Sequence, residues 1–105
     1  MAEHRGGFLA VGGLKVRFTP ESARTVSKLH PEIKKMIRSA IDGICHNPHL
    51  GRDLEEDLSG FKSYRIKRYR IVYKFSEDQG FIDIYHVGHR RDVYEHFREL
   101  LGKLT

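Results

Sequence analysis

From Lys62 to Val87 the chain is dense in Tyr, Ile, Val and Phe with Lys and Arg interleaved, and it is cut once by Glu77-Asp78-Gln79-Gly80. Aromatic and β-branched residues at this density, broken by a turn signal, favour consecutive antiparallel strands over a helix. The pattern predicts strands over about 63–67, 69–76 and 80–87, with a tight turn at Arg68-Tyr69 and Gly88 breaking the last strand.

The segment before it carries a different period. Ile33, Met36, Ile37, Ala40, Ile41 and Ile44 recur at i, i+3, i+4, i+7, i+8 and i+11, an apolar stripe along one face of a helix. Pro31 lacks an N–H and disfavours helical geometry in His30, so this helix is expected to be separate from an earlier one. That earlier helix opens at Thr19-Pro20-Glu21, a capping hydroxyl, a proline suited to the first position and an acid at the positive end of the dipole, and runs to about Leu29. Leu14-Lys15-Val16-Arg17-Phe18 alternates apolar and basic residues and predicts the first strand. Asn47-Pro48 ends the second helix, and the stretch to Gly60 reads as a loop with acids at Asp53, Glu55, Glu56 and Asp57. After Gly88, the stripe Val93, Phe97, Leu100 and Leu101 predicts a final helix closed by Gly102.

The expected order is β-α-α-β-β-β-α. This is an α+β fold, with two N-terminal helices packed on one face of a small, mainly antiparallel sheet and a C-terminal helix beyond it. The other face of the sheet is then partly open. The length of 105 residues suits a single domain, expected over 14–105, with the glycine-rich residues 1–13 as a flexible extension.

Composition narrows the function classes. At 39% hydrophobic and 31% charged, the chain is neither disordered nor collagen-like, and it has no apolar run approaching a membrane span or a signal-peptide core. A cytoplasmic protein with no membrane association is expected. A single cysteine, Cys45, excludes an internal disulfide and lacks a nucleophile motif. His46-x-x-His49 and His86-x-x-His89 have no accompanying cysteine or carboxylate grouping of the usual kind, so neither a metal nor another cofactor is expected. The formal net charge of +5 favours a polyanionic or acidic partner, leaving nucleic acid and an acidic protein both open.

Lys62, Arg65, Lys67, Arg68, Arg70 and Lys74 fall in one stretch without an acidic residue. In a strand over 63–67, Arg65 and Lys67 share a face while Tyr64 and Ile66 take the other, so the basic pair projects from the uncovered side. Arg70 returns to that face if the turn register allows it. His86, His89, Arg90, Arg91 and Tyr94 form a second group where the last strand meets the final helix. Cations gathered there suit charge developing on a phosphate, and an aromatic side chain can stack on a base. On composition alone such a face is more often a solvated sheet surface than a site.

Tyr64-Arg65-Ile66-Lys67-Arg68-Tyr69-Arg70-Ile71-Val72-Tyr73, followed by Val87-Gly88-His89-Arg90-Arg91-Asp92-Val93-Tyr94 and preceded by Leu58-Ser59-Gly60, resembles the RelE branch of the RelE/ParE superfamily of toxins from type II toxin-antitoxin systems. The resemblance covers about residues 14–101. It implies a compact microbial RNase-like fold, cleavage of mRNA at the ribosomal A site, and neutralisation by a RelB-like antitoxin that wraps the toxin. A toxin-antitoxin heterotetramer is among the assemblies it allows.

Residue by residue, the resemblance makes Lys67 the candidate for proton transfer and Arg65 its basic neighbour. Arg70 is the contact to the transition-state phosphate, Arg90 acts at the phosphate or leaving oxygen, and Tyr94 orients or stacks the nucleotide. Arg65, Lys67, Arg68 and Arg91 form the RNA-binding set. The chemistry is attack of a ribose 2′-hydroxyl on the adjacent phosphorus, with no metal. A lysine acts as a base only where its ammonium form is disfavoured, and neighbouring guanidiniums act in that direction. Arg90 is better suited to electrostatic stabilisation than to literal proton donation. Arg65 stands where some relatives have Lys, and the Arg90–Tyr94 segment is shorter than in some, which adds His89 as a further candidate. Two other readings remain: a ParE-like toxin that inhibits DNA gyrase by protein binding, and a catalytically silent RNA-binding module.

Overall fold

The computed structural model describes residues 14–89 and Arg98. Within them the chain runs through β1 (Lys15–Phe18), α1 (Pro20–Ser27), α2 (Pro31–His46), β2 (Arg52–Asp53), a 3-10 turn (Glu56–Leu58), β3 (Lys62–Ile66), β4 (Tyr69–Ser76) and β5 (Phe81–His89). The sheet order is β1-β5-β4-β3-β2. β1 lies parallel to β5, and the other neighbours are antiparallel. The α+β class and the order of the expected elements hold as far as the described residues reach. The expected extension at 1–13 lies outside them, as does the expected final helix apart from Arg98, which is helical.

The helices begin where their capping chemistry places them. The Thr19 hydroxyl accepts the Ser22 N–H at 3.1 Å, and Pro20 takes the first helical position. His30 Nδ1 accepts the Glu32 N–H at 3.1 Å ahead of Pro31, so the two helices are separate as expected. The first ends at Ser27, two residues short of the sequence expectation. Ser22 is fully buried, and its hydroxyl donates to the Ile84 carbonyl at 2.8 Å, which ties α1 to β5.

The main core lies between α2 and the inner face of the sheet. Ile37, Ile41 and Ile44 meet Val16, Ile71, Tyr73, Ile82, Ile84 and Val87, all at most 1% exposed. Tyr64, Ile66 and Tyr69 pack against the same cluster from the β3–β4 hairpin. A smaller cluster of Leu58, Phe61 and Val72, joined by Leu54 and Tyr85, sits on the opposite face. The segment after α2 therefore covers part of the outer face. It also supplies β2, two residues read as loop from the sequence, because a pair of polar residues has no periodicity to detect.

A register shift between Val72 and Tyr73 sets Val72 opposite His86 and Tyr73 opposite Ile84, so Tyr85 is the extra residue of a bulge in β5. Gly88 does not break the last strand. It pairs with Arg70 inside β5, and its lack of a side chain answers a close approach: a Cβ there would lie 3.0 Å from His86 Nε2.

Tyr73 anchors the post-helix segment. Its phenol, fully buried, donates to the Pro48 carbonyl at 2.7 Å and accepts the Gly51 N–H at 2.9 Å. Burial pushes its pKa up, which keeps the donating proton in place. A Cβ at Gly51 would meet the Tyr73 hydroxyl at 2.6 Å and Cε1 at 2.8 Å. Gly51→Ala should therefore destabilise the protein by about 1–3 kcal/mol, read as a lower urea midpoint with unchanged slope. Cys45, 2% exposed on α2, has its thiol pushed up to about 11 by burial. At pH 8 it should react with iodoacetamide at least about a hundredfold more slowly in the folded protein than in the denatured chain.

Candidate active site

The β3–β4 hairpin closes with Ile66 opposite Tyr69, leaving Lys67 and Arg68 as a two-residue turn. The turn thus lies one residue earlier than the sequence pattern suggests, and Lys67 is not on the strand beside Arg65. Its φ is 56°, in the left-handed region where a side chain costs roughly 1–2 kcal/mol. The physical reason is the twist of paired strands, which a two-residue loop matches only with left-handed backbone, here taken by a residue that is not glycine. The lysine is lifted from the sheet face to the exposed tip of the hairpin.

Arg65 and Arg70 are directly opposite each other, and Gly88 lies opposite Arg70 on the next strand. Directly paired residues share a face, so these three form one row across the outer side of the sheet. Arg70 does return to the face of Arg65. Like charges opposed in a ladder destabilise it, and nothing in the hydrophobic pattern of the hairpin requires them there. Arg65 is exposed and Arg70 is half-buried. Gly88 leaves the floor low beside Arg70, with buried His86 next to it on the same face.

The next row is Arg52, Ser63, Val72 and His86. Arg52 was invisible as a site residue in the sequence, where it lies in a segment read as loop. The pairing of β2 with β3 brings it to the face of Arg65 and Arg70. Arg52, Arg65 and Arg70, with Leu50, Ser63 and Tyr64, line one open cleft at the outer edge of β3.

Carboxylates of the neighbourhood are engaged elsewhere. Lys62 donates to Asp53 at 2.6 Å, and this hydrogen bond holds the Asp53 carboxyl below the usual range. Arg17 meets Asp83 at 2.7 Å and lies over the Phe81 ring, while Arg98 meets Asp57 at 3.1 Å. Among the described residues, Arg52, Arg65 and Lys67 have no ion-pair partner. The outer face therefore presents a positive potential near the hairpin that no ion pair to Arg52, Arg65 or Lys67 offsets among the described residues.

His89 stands opposite Tyr69, one residue out of phase with the arginine row, and its ring packs 5.2 Å from that tyrosine. Strand alternation directs it to the other face. The same alternation separates His86 from His89, so their spacing does not converge on one point. His46 Nδ1 engages the Asp42 carbonyl of its own helix, and His49 meets Phe75 edge-on. No group of three metal-ligating side chains occurs among the described residues. Arg90, Arg91 and Tyr94 lie outside the described residues; Arg90 follows directly on the end of β5.

Comparison with known proteins agrees with this architecture. The profile of the ParE-like toxins, described as "ParE-like toxin of type II bacterial toxin-antitoxin system", matches residues 16–98. Toxin RelG of Mycobacterium tuberculosis is 32% identical over 81 residues, covering 75% of this chain and 93% of that protein. The crystal structure of the RelBE2 toxin-antitoxin complex of M. tuberculosis superposes with a TM-score of 0.66 at 31% identity, over 71% of this chain and 95% of its own. An E. coli RelE mutant in the free state gives a TM-score of 0.69 at 13% identity, over 86% and 96%, which speaks for the fold alone. With a family profile across most of its length and a relative of this identity matched almost end to end, the chain belongs to the ParE-like toxins of type II toxin-antitoxin systems, within the RelE/ParE superfamily.

Proposed function

We propose that this toxin is an endoribonuclease that cleaves mRNA at the ribosomal A site. The observation that carries the reading is the Arg65–Arg70–Gly88 row beside the Lys67-Arg68 turn, a concentration of cations on an open sheet face. Its likeness to RelE and RelG toxins supports the same class of activity.

In this reading Lys67 takes the proton of a ribose 2′-hydroxyl. The 2′-oxygen forms a bond to the adjacent phosphorus and the bond to the 5′-oxygen breaks, that oxygen taking a proton from solvent water, which leaves a cyclic phosphate on one product and a 5′-hydroxyl on the other. Arg70, rigid on the central strand β4, holds the phosphate as its charge builds, and Arg65 supports it from the opposed position. Arg90 stabilises charge at the phosphate or leaving oxygen, and Tyr94 stacks on or orients the nucleotide. Arg68 and Arg91 add backbone affinity. A RelB-like antitoxin, as in the RelBE2 complex, neutralises the toxin in the cytoplasm by covering this basic surface with an acidic segment.

The backbone of Lys67 permits a clean test. Glycine adopts a positive φ without the side-chain penalty, so Lys67→Gly should keep or raise thermal stability while lowering cleavage about 10²–10⁴-fold. Arg70→Ala should lower it by about 10²–10³-fold. Both are read by primer extension on a defined mRNA in a purified translation reaction, with and without ribosomes. Full cleavage by both variants would remove these roles; gyrase inhibition without RNA cleavage would replace the reading with the ParE-like one.

Adding the co-encoded antitoxin to the same reaction should abolish cleavage, with the two proteins co-eluting on size exclusion. Independent elution and undiminished cleavage would refute neutralisation by direct binding.

A further inference from the structure

We propose that Arg52 is an RNA-binding residue of this toxin, holding a phosphate next to the scissile one in the cleft at the outer edge of β3. The inference rests on the nuclease reading above and extends it to a residue outside the Arg65–Arg70 row.

Three observations carry it. First, Arg52 faces the same side as that row. It pairs with Ser63, two positions along β3 from Arg65, which sets the two rows roughly 7 Å apart. That separation is comparable to the step between successive phosphates of an extended single strand. Second, Arg52 is exposed and has no ion-pair partner among the described residues, although a carboxylate adjoins it in sequence, because Asp53 is held by Lys62 at 2.6 Å. Third, its position is built rather than incidental. Gly51 is locked to Tyr73 by the 2.9 Å hydrogen bond, and Arg52 itself lies in the β2–β3 ladder, so its backbone is held on both sides.

The cleft also suits a nucleotide in its apolar parts. β2 pairs only with Lys62 and Ser63, so beyond Ser63 no strand among the described residues covers the outer edge of β3. Leu50, 44% exposed, and Tyr64 line the cleft there. Three guanidiniums with the exposed aliphatic side chain of Leu50 at the sheet edge offer both backbone neutralisation and an apolar contact for a base or ribose. A guanidinium binds a phosphate through a planar fork, which an ammonium cannot reproduce.

The experiment uses programmed ribosomes carrying a defined mRNA and follows single-turnover cleavage as toxin concentration is varied. Arg52→Ala should raise the half-saturating toxin concentration about tenfold while changing the maximal rate by less than about twofold, and Arg52→Lys should recover only part of the loss. The salt dependence of binding should become shallower by roughly one phosphate contact. Lys35→Ala, which removes one charge from the exposed side of α2, serves as the control, and the thermal midpoints of all variants should match the wild type.

Equal effects of Arg52→Ala and Lys35→Ala would reduce Arg52 to a share of net charge and overturn the proposal. So would an unchanged half-saturation together with weakened antitoxin binding, which would assign the cleft to the antitoxin. In both cases cleavage by the wild type leaves the nuclease reading standing. A wild type that cleaves no RNA would overturn both.

Discussion

The packing of α2 on β4 and β5 is the contact on which the rest of this structure depends. Ile37, Ile41 and Ile44 are completely buried against Ile71, Tyr73, Ile82 and Ile84, and each such side chain contributes about 1.5–3 kcal/mol on leaving water. This contact consumes one face of the sheet and so defines the other as the surface available to a partner. It also buries Tyr73, whose hydroxyl turns the chain after α2 back along the edge of the sheet. Through that bond the core reaches the outer face, since Gly51 is the residue before Arg52.

The outer face is organised by opposing demands. Leu58, Phe61, Val72 and Tyr85 cover part of it with apolar contacts, while the hairpin end carries opposed arginines and a lysine in left-handed backbone. Each of these last features costs stability locally, and they lie together. On the function proposed above, these locally unfavourable choices serve an external ligand rather than the chain's own fold. The neighbouring acids fit the same logic: Asp53, Asp57 and Asp83 are each held by another cation, away from the arginine row.

The bulge at Tyr85 and the glycine at 88 show how fine backbone adjustments shape this face. With one extra residue in β5, Tyr85 joins the outer cluster while Ile84 and Val87 still reach the inner core. Gly88 accommodates the His86 ring and keeps the row beyond Arg70 low. In the sequence the glycine reads as a stop signal, because glycine weakens a strand interior. The difference lay in a contact with His86, which no local pattern records.

Local chemistry was legible wherever a period or a cap was strong. The isoleucine stripe of α2, the Thr19-Pro20 and His30-Pro31 starts, and the basic interleaving of β3 and β4 each follow from residue type and spacing alone. The opposition of Arg65 and Arg70 was within reach of the sequence but not certain from it, because a hairpin register depends on the turn. The turn falls at Lys67-Arg68, and shifting it by one residue moves the lysine from strand to tip. Arg52 lay beyond sequence reasoning altogether, since a two-residue strand acquires its meaning only from the partner it pairs with. Residue type and spacing along the chain thus set the elements and the buried face, both properties of near neighbours, and the composition sets the excess of positive charge. Which cations share a row, and which carboxylates are withdrawn from them, follows instead from strand register and from side chains far apart in sequence.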